Sequence, residues 1–315
     1  MDTIDYILIV IGSLIIILLI LLFIVYRMVF YNEKKGEYLS ETLLTGIGYD
    51  EYHEEMMDLV HKIIAKPYED VYIKSSTGIT LHGKLYLSKN PTNRLNIHFH
   101  GYKGDSMTDC SAGSLFSIDE EKVNTLLVDQ RAHNTSGSRT ITFGIKERID
   151  CLDWVNYGKK RFGDDVKIML FGLSMGASTV LMASNLDFGG NVKGIIADCP
   201  YDSPRGIIKK IIRDSMHLND RFFIGFVKMA GLIFARFNID KIDCIKAVKE
   251  SKIPILIVHG KSDQICPYQM SIDIKGDNDN VTLLLVDNAY HGMSWFVNND
   301  AYREAVYEFK SRLDL

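Results

Sequence analysis

The chain has 315 residues, of which 47% are apolar and 24% charged, and its formal net charge is −4. That length permits one large domain or two small ones with a sizeable core; the composition is globular, and the lack of a basic excess argues against a nucleic-acid footprint. The cysteines at 110, 151, 199, 244 and 266 are odd in number, scattered and without a C-x-x-C pair. This argues against a disulfide framework and fits reduced thiols in the cytosol.

Residues 6–26, YILIVIGSLIIILLILLFIVY, carry no charge. At about 1.5 Å per residue, roughly 20 apolar residues cross a hydrocarbon core of about 30 Å, so this run reads as a single membrane span. A cleaved secretory signal is the rival reading, and a buried core helix the third. A signal has a shorter apolar region after positive charge and ends in a small-residue site. Here Asp2 and Asp5 come first, and Tyr26, Phe30 and Tyr31 are placed for an interfacial aromatic belt. Arg27, Lys34 and Lys35 follow the run and no Lys or Arg precedes it, which puts the downstream domain in the cytoplasm of a single-pass protein.

Residues 32–68 read as a juxtamembrane linker with one amphipathic helix near 49–64. From residue 69 the pattern changes. Runs 71–73 and 81–87 form a hairpin around a turn at 75–78. Apolar runs at 95–100, 123–129, 166–171, 192–197, 253–259 and 281–286 then alternate with helical stretches near 105–120, 145–162, 175–187, 267–275 and 300–313. Continuous apolar strands separated by helices predict a mostly parallel sheet covered on both faces. Between residues 201 and 251 there is no strand. Within it, 221–237 (RFFIGFVKMAGLIFARF) is unusually apolar, and reads either as a helix packed on the core or as a lid whose inner face lines a substrate pocket.

Residues 168–177 read IMLFGLSMGA, a strand ending in G-x-S-x-G around Ser174. A sharp strand-to-helix turn lifts such a serine out of the sheet edge where parallel sheets meet their ligands, and glycines at 172 and 176 relieve the crowding. The motif alone is weak, since chance places it in about one chain in ten of this length. Serine needs a base, and the base needs an orienting group. Asp263 lies past the strand that ends at His259-Gly260, and His291 lies past the last strand. The order Ser174, Asp263, His291, each at the same sheet edge, is that of a serine triad on this architecture. Backbone N–H groups of Tyr102, after the strand ending at His100-Gly101, and of Met175 are the expected oxyanion donors.

Other readings are weaker. Asp198, also at a strand end, is an alternative triad acid. Cys199 has no elbow around it. His98 and His100 lack a further ligand at metal spacing and read as structural.

Together, His100-Gly101-Tyr102, Asp129-Gln130-Arg131-Ala132-His133, GLSMG, HGKSDQICP and His291-Gly292 resemble the α/β-hydrolase superfamily over residues 69–315. The resemblance is to its S33-type serine aminopeptidase and monoacylglycerol-lipase-like branch, in a membrane-anchored bacterial form. It implies an α/β-hydrolase fold: a mostly parallel eight-stranded sheet flanked by helices, a small helical lid at about 203–250, and one transmembrane helix before it. It also implies an esterase-like mechanism through Ser174, His291 and Asp263, with Tyr102 and Met175 holding the oxyanion. The sequence carries no nucleotide loop, metal cluster or haem signature, so no cofactor or metal is expected. Asp129 and His133 read as loop scaffold. Asn134 departs from the pattern, because relatives often carry glycine there.

The expected function is hydrolysis of carboxylic esters, acyl or lipid-like, reached through the anchor. A peptidase or amidase using the same triad is the alternative, and a non-catalytic binding protein the second. Few acids in 205–240 lean toward esters.

Overall fold

The computed structural model describes residues 2–33, 46–313 and 315. Lys34 and Lys35, and much of the expected linker, lie outside the described residues.

The chain opens with α1 (Thr3–Val29), started by a reciprocal cap in which Asp2 and Asp5 each accept the other's backbone N–H. It is long and apolar enough to cross a membrane, and its side chains from residue 2 to 21 lie almost wholly on the outside. Its foot is different. Leu22 and Phe30 are fully buried in the main core. The Phe30 carbonyl accepts the Ile141 N–H at 2.8 Å, Asn32 N–H donates to the Arg139 carbonyl at 3.0 Å, and the Tyr26 hydroxyl meets Thr140 Oγ1 at 2.8 Å. A short turn at Asp50–Tyr52 leads into α2 (His53–Ile64), which buries Met56, Val60 and Ile63 on one face.

The sheet comprises β1 (Glu69–Lys74), β2 (Thr80–Tyr86), β3 (Arg94–Phe99), β4 (Asn124–Asp129), β5 (Lys167–Leu173), β6 (Val192–Asp198), β7 (Ile255–Gly260) and β8 (Val281–Val286). Their order is β1-β2-β4-β3-β5-β6-β7-β8. β1 and β2 pair antiparallel, β2 lies antiparallel to β4, and every pair beyond is parallel. β4 and β7 are buried along their whole length; in β7, parallel to both neighbours and covered on both faces, the side chains from Ile255 to Val258 are accordingly all apolar.

Helices cover both faces. α5 (Glu147–Phe162) and α6 (Met175–Ala183) pack against each other, and α6 lies on β5 and β6. On the opposite face α11 (Ser294–Val297) and α12 (Asn299–Ser311) share a core cluster with Met169, Ile196 and Leu256. The stretch 105–120, expected as one helix, is segmented: α3 (Ser106–Asp109) and α4 (Ser111–Leu115) run into a wide π-turn at Phe116–Glu120. Asp105 caps α3 by accepting the Met107 and Thr108 amides. α10 (Gln269–Lys275) completes the set after β7.

Between β6 and β7 the chain is helical, as α7 (Pro204–Asp214), α8 (Asp220–Ala230) with a wide turn at Gly231–Ala235, and α9 (Cys244–Glu250). Ser203, Asn219 and Asp243 cap them. Ile224, Val227 and Ala230 of α8 pack into the main core beside Leu22 of α1.

Candidate active site

β5 ends at Leu173, and Ser174 follows with φ 55° and ψ −114°, a left-handed conformation that a side chain rarely adopts. The turn is held by Ser174 N–H donating to the Asp198 carbonyl at 2.9 Å. The flanking glycines are steric necessities. A Cβ on Gly172 would sit 2.4 Å from the Gly176 carbonyl group, and one on Gly176 would sit 2.0 Å from the Phe99 oxygen. The elbow therefore presses α6 against the end of β3, where the loop carrying Gly101 and Tyr102 begins.

The three residues expected from the sequence meet. His291 Nε2 lies 2.8 Å from Ser174 Oγ, and His291 Nδ1 lies 2.7 Å from Asp263 Oδ2. Asp263 Oδ1 accepts the Ile265 and Cys266 amides at 2.8 Å each. Burial alone would raise the Asp263 carboxyl; hydrogen bonds from His259 and His291 outweigh it and bring the group down to about 2. Asp263 is thus an anion at neutral pH.

The loop after β3 abuts the serine. A Cβ on Gly101 would lie 3.6 Å from Ser174 Cβ. Among the described residues, no acceptor takes the backbone N–H of Tyr102 or Met175, as oxyanion donors require. His133 anchors this loop: its Nε2 accepts the Lys103 N–H at 3.0 Å, and its Nδ1–H is fixed by the Arg131 carbonyl at 2.9 Å. Burial pushes the His133 imidazole down to about 3, so it stays neutral and can accept. Asp129 sits behind, bonded to His82, Lys84, Ser106 and Asn134. Asn134 takes φ 43°, and asparagine is among the few non-glycine residues that tolerate this region. It replaces glycine's freedom with side-chain bonds to Asp105 and Asp129.

Asp198 does not orient His291. Its Oδ1 has no hydrogen-bond partner in the structure, and its side chain lies by the Tyr302 hydroxyl. Burial pushes this carboxyl up to about 7. A folded-state pKa raised above the unfolded value gives stability that is complete below about pH 4 and lost as pH rises through about 7. Asp198→Asn should flatten the fall in melting temperature between pH 5 and 8. About three pKa units at 1.4 kcal/mol each set the ceiling near 4 kcal/mol. Parallel melting curves for variant and parent across that range would refute it.

Cys199 Sγ lies 3.9 Å from His291 Nε2, and burial holds its thiol far above the usual range, so it remains protonated. Cys199, Asp263 and His291 lie close enough to grip an ion, but both His291 nitrogens already serve the serine and the aspartate. His98 stacks on Phe171 with centroids 4.5 Å apart, whereas both His100 nitrogens are bonded to Gly101 and Gln130 backbone atoms. They form no joint site.

Two residues of the site were not singled out from the sequence. His259, at the end of β7, donates from Nε2 toward Asp263 Oδ2 at 3.1 Å and the Cys266 carbonyl at 2.7 Å, and Ser271 Oγ meets its Nδ1 at 2.6 Å. Its position four residues before Asp263 was the available signal. Asp109 is partly buried, accepts the Gly101 N–H at 2.8 Å and is pushed up to about 6 by desolvation. Nothing local marks it, because it reaches the loop from α3.

A cavity of about 460 Å³ opens from Ser174 across the sheet edge, lined by Met56, Phe171, Ile196, Trp295 and Phe296 among others. Among the described residues, none from 203–250 lines it. The expected lid face is turned instead onto the core and α1, because Ile224, Val227 and Ala230 find their apolar partners there. The N-terminal segment takes its place: Tyr49 and Met56 wall the cavity, and the Tyr49 hydroxyl donates to the His291 carbonyl at 3.2 Å.

No family model matches the chain. The Bacillus subtilis protein YqkD, itself uncharacterized, is 26% identical over 196 residues, 61% of this chain and 63% of its own length. The uncharacterized Escherichia coli K12 protein YfhR is 24% identical over 218 residues, 68% of each chain. The chain thus spans less than two thirds of the YqkD relative. Among solved structures, a Pyrococcus furiosus esterase superposes with TM-score 0.65 at 21% identity, over 90% of this chain and 99% of that one. The Butyrivibrio proteoclasticus protein Est1E with bound ferulic acid gives 0.59 at 24%, over 77% and 98%. A Xanthomonas campestris α/β serine hydrolase described as lacking a lid gives 0.55 at 15%, over 79% and 97%. With its strand order, its elbow after β5 and these superpositions, the chain has the α/β-hydrolase fold.

Proposed function

We propose that the protein is a serine hydrolase of carboxylic esters with lipid-like acyl groups, held at a membrane by α1. The observation that carries this is the unbroken hydrogen-bonded chain from Ser174 through His291 to Asp263, set beside unengaged amides at Tyr102 and Met175. Ser174 Oγ attacks the acyl carbon while His291 Nε2 takes its proton. Asp263 keeps Nδ1–H oriented and stabilises the imidazolium. The oxyanion forms against the two amides. His291 then returns the proton to the leaving alcohol, and water hydrolyses the acyl-enzyme by the same steps in reverse.

The largely apolar cavity wall suits an acyl chain. The esterase neighbour from Pyrococcus furiosus supports ester over peptide substrates. The buried foot of α1 supports a retained anchor, since cleaving it would strip Leu22 and Phe30 from the core. The domain faces the cytoplasm on this reading, in line with Arg27 after the span and free, buried cysteines.

The test is a panel of p-nitrophenyl esters spanning about two to sixteen carbons. An optimum at medium or long chains is expected from the cavity's size. Turnover of acetyl esters alone would remove the lipid-like part. Peptide cleavage without ester cleavage would replace the reading with a peptidase.

A further inference from the structure

The exposed side of α8 carries large apolar side chains beside the charges of Arg221 and Lys228. Phe222 (63% exposed), Met229 (38%), Leu232 (48%) and Ile233 (48%) lie on it. Their spacing, with exposed Gly225 between, keeps them on one helical stripe along α8 and the turn after it. Arg221 and Arg236 are exposed at its two ends. A contiguous stripe of exposed apolar side chains ordinarily marks a contact surface, and among the described residues nothing covers this one.

Its neighbour tells what does. The foot of α1 packs against the same element: Phe234 meets Phe23 and Tyr26 with ring centroids 5.4 and 5.9 Å apart, and Leu22 joins the cluster of Ile224 and Val227. The part of α1 free of protein, residues 3–21, is about 28 Å long at 1.5 Å per residue, close to one hydrocarbon thickness. A bilayer crossed by that stretch therefore reaches its boundary where α8 lies.

Resting on the reading of α1 as a span, we infer that α8 and the turn after it form a second membrane contact. They lie in the lipid interface with Phe222, Met229, Leu232 and Ile233 in the acyl-chain boundary and the two arginines at headgroup level. The occupant is the bilayer itself. The contact orients the active site. The Tyr102 hydroxyl donates to the Val29 carbonyl at 3.1 Å, and its ring stacks on Phe143 at 5.2 Å, which in turn packs on Phe30 at 6.1 Å. The part of the cavity wall formed by Tyr102 and Lys103 is thus bolted to the foot of α1, beside the lipid surface.

The full chain, reconstituted in phosphatidylcholine–phosphatidylglycerol vesicles with or without dibrominated acyl chains, tests this through tryptophans introduced one at a time. Phe222→Trp and Ile233→Trp report on the stripe, Leu14→Trp on the middle of α1, and Tyr307→Trp on α12 across the sheet. Emission is read against the parent chain, which contributes Trp154 and Trp295. Bromine, a short-range quencher, is expected to remove about half of the added emission at positions 222 and 233 and none at 307. Quenching at 14 with none at 222 and 233 overturns the second contact and leaves the anchor standing. No quenching at 14 overturns both. Blue-shifted but unquenched emission at 222 and 233 means that protein, such as a second copy, covers the stripe, and also overturns the proposal.

Discussion

Replacing Ser174 or His291 by alanine is expected to lower ester kcat/KM by at least about a thousandfold while leaving the fold intact. The serine's hydroxyl engages His291 across 2.8 Å, and neither side chain is a large part of the core. Because the two act as a unit, the double variant should be little worse than either single one. Asp263→Asn should cost about ten-thousandfold, since an amide favours the wrong imidazole tautomer. Asparagine keeps an oxygen for the Ile265 and Cys266 amides but turns an NH2 toward the His259 and His291 donors on the other side, so this replacement should lower the melting temperature where the other two do not. Kinetics on a p-nitrophenyl ester beside thermal melts check all of this. A Ser174→Ala protein keeping more than about a tenth of the activity would make Ser174 a turn residue and nothing else.

The second large effect is steric. Gly176→Ala should destabilise the domain by about 3 kcal/mol and abolish most activity. The added methyl would lie 2.0 Å from the Phe99 oxygen and 2.7 Å from the His100 oxygen, both backbone atoms that cannot swing aside. Relief requires α6 to move off β3, and that displaces the Tyr102 and Met175 amides together. Gly225→Ala is the control. No atom lies within 4 Å of its Cβ site, so the change should stabilise α8 by about 0.5–1 kcal/mol. Urea unfolding of both variants decides the matter; equal midpoints would show that the packing at the elbow is looser than its geometry.

The chain order of residue types already carried the sheet and the three central side chains. Parallel strands buried on both faces must be apolar without interruption, so the run from Ile255 to Val258 is legible before any folding is known. Ser174, Asp263 and His291 were legible because each lies within a few residues of the end of such a run, and strand ends of one direction gather at one edge. Contacts between distant segments were not written in any local pattern. His259 supports Asp263 through the curl of a loop, and Asp109 reaches Gly101 only because the chain after β3 turns back on itself through α3. The interval 221–237 shows the limit most clearly. Its apolarity was plain, but hydrophobicity has no direction. Only the packing of Ile224 and Val227 beside Leu22 turned that helix away from the cavity, and left the wall to Tyr49 and Met56.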